Sequence, residues 1–407
     1  MPDRTIQKLI RAYKPALDET PQPLKNRKAI GALTQCQTPD MGVSYYACPE
    51  GHEQWEQYHS CRHRSCYLCA EKKRVEWIEQ QKQRLFNTPH FHVIFTLPHE
   101  YLSLWRYNEA LFAKVLFKAS QQSLLELLAD RKYGGITPGV LMTLHTWGRR
   151  LNLHPHTHCL VTAGGLTPTD QWKEKGDFLL PGPVLRRYYR GKIQAFLKEA
   201  LQKGELALPP DMSVEQFWHQ YRALYRKEWS VRIEERYEHG KGVMLYLARY
   251  CKGGPLHPEQ IKAWDGRKIE MSYLDHRDQR VKSQRLTPLQ LIQRLLQHVP
   301  ATSVHTVRYY GLYAPAAKQR HERALVRHGN LEGLKVQRGL DLKTVLLCCK
   351  RCGAPAKLIG QQWRKAPKGN SYIKSGRRLG AGGTVQQGDD ADVANVALGR
   401  LSDYSSG

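Results

Sequence analysis

Acidic residues are scarce in this chain. Asp and Glu number 37 against 63 Lys and Arg among 407 residues, which leaves a formal charge of +26. Such an excess sets up a positive potential that attracts polyanions, nucleic acid first and an anionic membrane surface second. Long apolar runs are missing as well, and without one no segment spans a bilayer. No membrane partner is therefore expected. The opening "MPDRTIQKLI" lacks the apolar stretch of a signal peptide, so a cytoplasmic location is expected. A disulfide framework is then not expected, because the cytosol keeps thiols reduced. No GxxxxGK[ST] loop occurs, which excludes a P-loop nucleotide hydrolase, and no internal repeat is visible.

Hydrophobic residues make up 41% of the chain, enough for a real core and for more than one domain. Residues 1 to about 34 read as one or two short helices around the proline-rich "KPALDETPQPLK". "AEKKRVEWIEQQKQRLF" reads as a charged helix with Val75, Ile78 and Leu85 on its apolar stripe. "HFHVIFTLP" is a strand ended by Pro98. A long amphipathic helix is expected from Asn108, its N-cap, to Gly134. "GVLMTLHTWG" and "LNLHPHTHCLV" follow as an antiparallel strand pair. Helices are expected near 184–203 and 213–229, and "GKGVMLYLARYCKGGP" reads as a helix stopped by Gly253, Gly254 and Pro255. "KIEMSYLDH" and "VHTVRYYGLY" read as strands, and "TPLQLIQRLLQHVP" as a helix with Thr287 as N-cap and Pro288 at its first position. The expected division is an N-terminal helical and zinc-binding domain (1–84), a central domain (85–315), a C-terminal segment with a Cys knuckle (316–363) and a disordered polar tail (364–407).

Ten cysteines are present, five of them between Cys36 and Cys69. In a reduced chain that clustering points to a metal. Cys66 and Cys69 are the surest pair, since a Cys-x-x-Cys hairpin presents two sulfurs at the separation tetrahedral zinc requires. Cys61, Cys48 and His52 compete for the remaining places, with Cys36 and His63 behind them. A segment so poor in aliphatic residues needs a structural Zn²⁺ to hold together. Arg62, Arg64, Lys72 and Lys73 lie in or beside it and suggest DNA contact, although a charged helix face is as often plain solvation. Cys348, Cys349 and Cys352 form a second, weaker knuckle whose other half does not follow it in the chain, so it either borrows ligands from elsewhere or is degenerate.

Alternation on a strand puts His154, His156 and His158 on one face. Three clustered imidazoles are costly to charge together, and a divalent cation naturally shares their lone pairs. His90 and His92 in "HFHVIF" compete for that role, and spacing alone does not choose between them. Tyr246 and Tyr250 lie four apart, hence on one helix face, with Arg249 and Lys252 beside them. They fit two core aromatics; they also fit a pair of phenols able to attack a phosphodiester.

In order, the motifs "SCRHRSCYLC", "FTLPHEY", "LHTWG", "HPHTHC", "YLARY" and "VRYYGLYA" resemble the HUH (histidine–hydrophobic–histidine) nucleases, and more narrowly the two-tyrosine rolling-circle transposases of insertion-sequence family ninety-one. The resemblance covers about residues 30 to 360. It implies an α+β fold, an antiparallel HUH-nuclease sheet with flanking helices behind an N-terminal zinc-binding module, with the central domain catalytic. It implies His156 and His158 as ligands of a catalytic Mg²⁺ or Mn²⁺, Tyr246 and Tyr250 as nucleophiles, and "HFHVIF" as a structural strand. His154 stays open between a third ligand, a supporting group and a bystander, and no other third ligand is identified. Thr157 stands where the family expects a hydrophobic residue, but its β-branch suits a strand. The implied function is nicking and rejoining of single-stranded transposon ends through a 5′-phosphotyrosine, without ATP, in the bacterial cytosol or nucleoid. Arg308, with Tyr309 and Tyr310, is a candidate for holding the strand, though all three equally fit the core. Two alternatives are a replication initiator or relaxase with the same chemistry, and a non-enzymatic zinc DNA-binding protein.

Overall fold

A computed structural model describes residues 4–238, 240–247, 254–275, 278–332 and 347–363. Tyr250, Arg249, Lys252 and the tail from 364 to 407 lie outside the described residues.

The chain opens with three helices, α1 (Thr5–Ala12), α2 (Lys14–Glu19) and α3 (Leu24–Gln35), where the sequence suggested one or two. Ile6, Leu9 and Ile10 of α1 recur at helical spacing and are buried against Ala29, Ile30 and Leu33 of α3. A hairpin of β1 (Gly42–Ala47) and β2 (Gln54–Tyr58) follows, and then α4 (Tyr67–Arg84). Next come β3 (His90–Thr96), α5 (Leu102–Tyr107) and α6 (Glu109–Ala129). Asn108 does stand at the start of α6, but its side chain bonds the Leu104 carbonyl and both backbone groups of Ala207 rather than capping the helix.

The central hairpin is β4 (Gly139–Trp147) and β5 (Leu153–Thr162), followed by the small pair β6 (Gly164–Leu166) and β7 (Trp172–Glu174). Helices α7 (Gly182–Gln202) and α8 (Val214–Arg226) lead to β8 (Val231–Tyr237) and α9 (Gly240–Tyr246). A three-stranded sheet of β9 (Ile261–Trp264), β10 (Ile269–Asp275) and β11 (Arg280–Leu286) precedes α10 (Pro288–Gln297). Thr287 caps α10 through a capping box with Gln290, as its sequence dictates. The chain continues through β12 (Val307–Gly311) and α11 (Lys318–His328) to β13 (Lys357–Trp363).

The central sheet has the order β12-β4-β5-β3-β8, every pair antiparallel. Its two faces differ. Phe91, Val93 and Phe95, Val140 and Met142, and Cys159 and Val161 form one face, covered by apolar residues of α6 and α7 such as Phe112, Phe117, Tyr189 and Ile193. Alternation turns Leu141 and Leu160 to the other face, where they meet Val243, Met244 and Tyr246 of α9 and Ile78 of α4. Gly242 permits that approach: a Cβ there would lie 2.9 Å from the Tyr237 side chain of β8. The 316–363 segment is shared between two regions. Ala324 of α11 joins the core beneath the central sheet, while β13 pairs with β1.

Candidate active site and metal clusters

Strand register builds the imidazole face. His145 of β4 lies directly opposite His156 of β5, and Thr143 opposite His158. Thr96 and Ile94 of β3 oppose His156 and His158 from the other side. The result gathers His145, His156 and His158, each of which brings one ring nitrogen within 4.8 Å of the others and whose side chains are buried. Trp147 stacks on His145 at 4.3 Å between ring centroids. Trp147 and His145 line a cavity of ≈ 90 Å³ that is also walled by Leu33 and Ser65 of the N-terminal region.

Hydrogen bonds fix which nitrogens face each other. His156 Nδ1 lies 2.6 Å from the His154 carbonyl, which can only accept, so Nδ1 carries the proton and Nε2 keeps its lone pair. That Nε2 is 3.0 Å from His158 Nε2. His158 Nδ1 in turn meets His92 Nε2 at 2.8 Å. Burial, and then the neighbouring His145, holds His156 and His158 well below the ordinary imidazole value. Burial likewise lowers His92 to about 4. All three are therefore neutral near pH 7, the form that ligates a metal.

The remaining histidines divide clearly. His154 lies outside the three-nitrogen group; its ring packs 5.4 Å from His99. His90 donates from Nδ1 to the Thr88 carbonyl at 2.7 Å and accepts at Nε2 from the Tyr313 hydroxyl at 2.8 Å, which satisfies it within the core. The "HFHVIF" strand thus splits: His90 is structural, whereas His92 touches the site. Tyr246 is fully buried on the same face, its ring edge-on to His92 at 5.1 Å and 6.1 Å from Tyr237.

The sulfur ligands assemble as two groups rather than one. Cys36, Cys61, Cys66 and Cys69 bring four Sγ atoms together. Cys69 lies 3.5 Å from Cys36 and 3.7 Å from Cys61. Tetrahedral zinc with bonds of about 2.3 Å would separate its sulfurs by about 3.8 Å, so the spacing fits. Sulfhydryl donation from Cys36, Cys61 and Cys66 pushes Cys69 well below the ordinary thiol value. His63 is not in the group; its Nδ1 accepts from the Ser65 backbone at 3.2 Å. Cys48 and His52 gather instead with Cys349 and Cys352. Sequence reading placed them beside Cys61 and Cys66, because nearness in the chain hid the folding back of β13.

The basic candidates are placed unevenly. Arg64 donates to the carbonyls of Val304 (2.6 Å), Pro300 (3.0 Å) and Ala301, which ties the cysteine loop to the segment before β12. Lys73 donates to the Arg62 carbonyl at 2.7 Å. Lys72 is on α4, and its side chain is outside the described set. Arg308 pairs across from Met142, and its guanidinium sits 4.6 Å above Phe117 of α6. Arg308 therefore projects to the helix-covered face, away from the imidazoles. His145 is the residue that sequence reading missed. It was visible within "LHTWG", but a lone His on a strand signals nothing until the register with β5 is known.

Comparison with known proteins puts this arrangement in the class of transposases. The family described as "Putative transposase" matches residues 139–321, a span that holds both imidazole strands and α9. The "Transposase zinc-binding domain" matches residues 6–97. The chain belongs to the IS91 family of transposases. Among its relatives is "Putative transposase y4qJ" of Sinorhizobium fredii, 30% identical over 317 residues, covering 76% of this chain and 79% of the relative. Another is the transposase for insertion sequence element IS801 of Pseudomonas savastanoi pv. phaseolicola, 29% identical over 336 residues, covering 74% of this chain and 80% of the relative. The chain is accordingly a DNA-processing enzyme with a zinc-binding domain at its N-terminal end. No helix of the described residues is long and apolar enough to cross a membrane.

Proposed function

We propose that this transposase cuts and rejoins single-stranded DNA by HUH chemistry, with a tyrosine as nucleophile. The observation that carries the reading is the gathering of His145, His156 and His158 on one sheet face, with Tyr246 packed on the same face through His92.

The donor set fits a divalent cation. Two cis positions on an octahedral ion with bonds of about 2.1 Å are about 3 Å apart, and the Nε2 atoms of His156 and His158 are 3.0 Å apart. Three imidazoles are softer donors than Mg²⁺ prefers, so Mn²⁺ suits this site better. Held there, such a cation supplies charge withdrawal from the scissile phosphate.

The chain's own groups do the rest. The His154 carbonyl fixes the tautomer of His156, and His92 orients His158 through its Nδ1. The phenol of Tyr246 or Tyr250 loses its proton and attacks phosphorus. The bond to the 3′ oxygen breaks, and that oxygen takes up a proton. A 5′-phosphotyrosine and a free 3′-hydroxyl result, and the ester retains the bond energy for rejoining. The cavity walled by His145, Trp147, Leu33 and Ser65 offers an aromatic wall on which a base next to the cleaved bond can stack.

Incubation with a single-stranded transposon-end oligonucleotide and Mn²⁺ should give a covalent adduct that survives denaturing electrophoresis. An adduct formed at the normal rate by the Tyr246→Phe, Tyr250→Phe double variant would overturn the reading.

A further inference from the structure

We propose that Cys48, His52, Cys349 and Cys352 form a second zinc site, separate from the Cys36–Cys69 cluster, that staples β13 to the N-terminal hairpin. The matched zinc-binding domain ends at residue 97 and so cannot supply half of these ligands. Cys48 Sγ is 3.5 Å from His52 Nδ1 and 3.6 Å from Cys352 Sγ, a residue 304 positions away in the chain. Cys349 Sγ lies 4.0 Å from the same His52 nitrogen. Three sulfurs and one imidazole at these separations are a closed tetrahedral set for zinc.

The backbone on both sides is shaped for the role. Cys48 and His52 flank the turn between β1 and β2, where Gly51 takes φ +71°. Cys349 and Cys352 flank a tight knuckle closed by Gly353 at φ +74°. Within it the Arg351 N–H points to Cys349 Sγ at 3.4 Å, which fixes the direction of that side chain. The knuckle also reaches across to the hairpin, where the Lys350 N–H donates to the Glu53 carboxylate at 2.6 Å.

β13 needs such a clamp. It pairs with β1 from Gly42↔Trp363 to Ala47↔Lys357, yet six of its seven residues are exposed. Ladder bonds at a solvated edge with so little apolar burial are marginal alone. A metal that closes a loop of this length offsets the entropy of holding the strand in place.

Full-length protein purified without chelator tests this directly. Zinc analysis should return two ions per chain. Cys352 is exposed, so as a free thiol it would react quickly with iodoacetamide. Bound to zinc, it should resist together with Cys48 and Cys349, and all three should become reactive together when a chelator is added. The Cys349→Ser, Cys352→Ser variant should then hold one zinc and keep Cys36, Cys61, Cys66 and Cys69 protected. Rapid alkylation of Cys352 in the zinc-loaded wild type would overturn the proposal. So would a zinc count of one, or a Cys48–Cys352 disulfide in place of the metal.

Discussion

The cluster of Cys36, Cys61, Cys66 and Cys69 closes with four soft donors on loops and a helix terminus, whereas that of His145, His156 and His158 gathers, among the described residues, three donors on two paired strands. The difference is one of completeness and of rigidity. Four sulfurs satisfy zinc entirely and leave it nothing to do but hold the chain. Three imidazoles leave coordination positions open, and the central sheet holds them in fixed register. On the proposed function a folding element and a reacting element stand side by side, and the cavity lined by Ser65 and His145 lies where they meet.

The largest effect is expected at the tyrosines. Replacing both Tyr246 and Tyr250 with Phe should reduce adduct to background on a denaturing gel, while zinc content stays at the wild-type value. Next comes a crossed pair. His145→Ala should slow cleavage by roughly 10²-fold, the loss of about 3 kcal/mol of transition-state stabilisation, with little change in melting temperature. Cys66→Ser should do the reverse: one zinc is lost and the melting temperature falls, because binding energy at a structural site is folding energy. If His145→Ala unfolds the chain while Cys66→Ser leaves it folded and fully stable, the contrast between the two clusters fails. His92→Phe should have a smaller effect. It removes the partner of His158 Nδ1 and should weaken apparent Mn²⁺ affinity about 10- to 100-fold, with the cleavage rate recovering at saturating Mn²⁺. A rate that stays low at every Mn²⁺ concentration would give His92 another role. The smallest change is expected at Arg308, which packs on Phe117 rather than near the imidazoles. Arg308→Ala should alter single-strand affinity by less than about twofold in a filter-binding titration, unlike the loss of a true phosphate contact.

Much of this was legible from local pattern. The β4–β5 hairpin, α6, α10 with its Thr287 cap, and the placing of His156 and His158 on one strand face all rest on residues near each other in the chain. What escaped depends on long-range pairing. His145 joins the site only because of its register with His156. His92 was set aside with His90 as one motif, though the two make quite different contacts on β3. Cys36 ranked last among the sulfur ligands because α3 and a hairpin separate it from Cys66, yet it completes the set. Cys48 and His52 were drawn to the wrong partners, since nothing local announces that a strand some 300 residues downstream returns to β1. Arg64 read as a DNA contact because its charge was visible and the three carbonyls that engage it were not.

On the proposed function the imidazole face works with a tyrosine that becomes covalently joined to DNA. Peptide mapping by mass spectrometry, after reaction with a single-stranded end oligonucleotide and Mn²⁺ and digestion of both protein and DNA, tests it most directly. A 5′-linked nucleotide is expected on the peptide that carries Tyr246 or Tyr250, and none when His156 is replaced by Ala. Strand cleavage at full rate with no nucleotide on either tyrosine would contradict it.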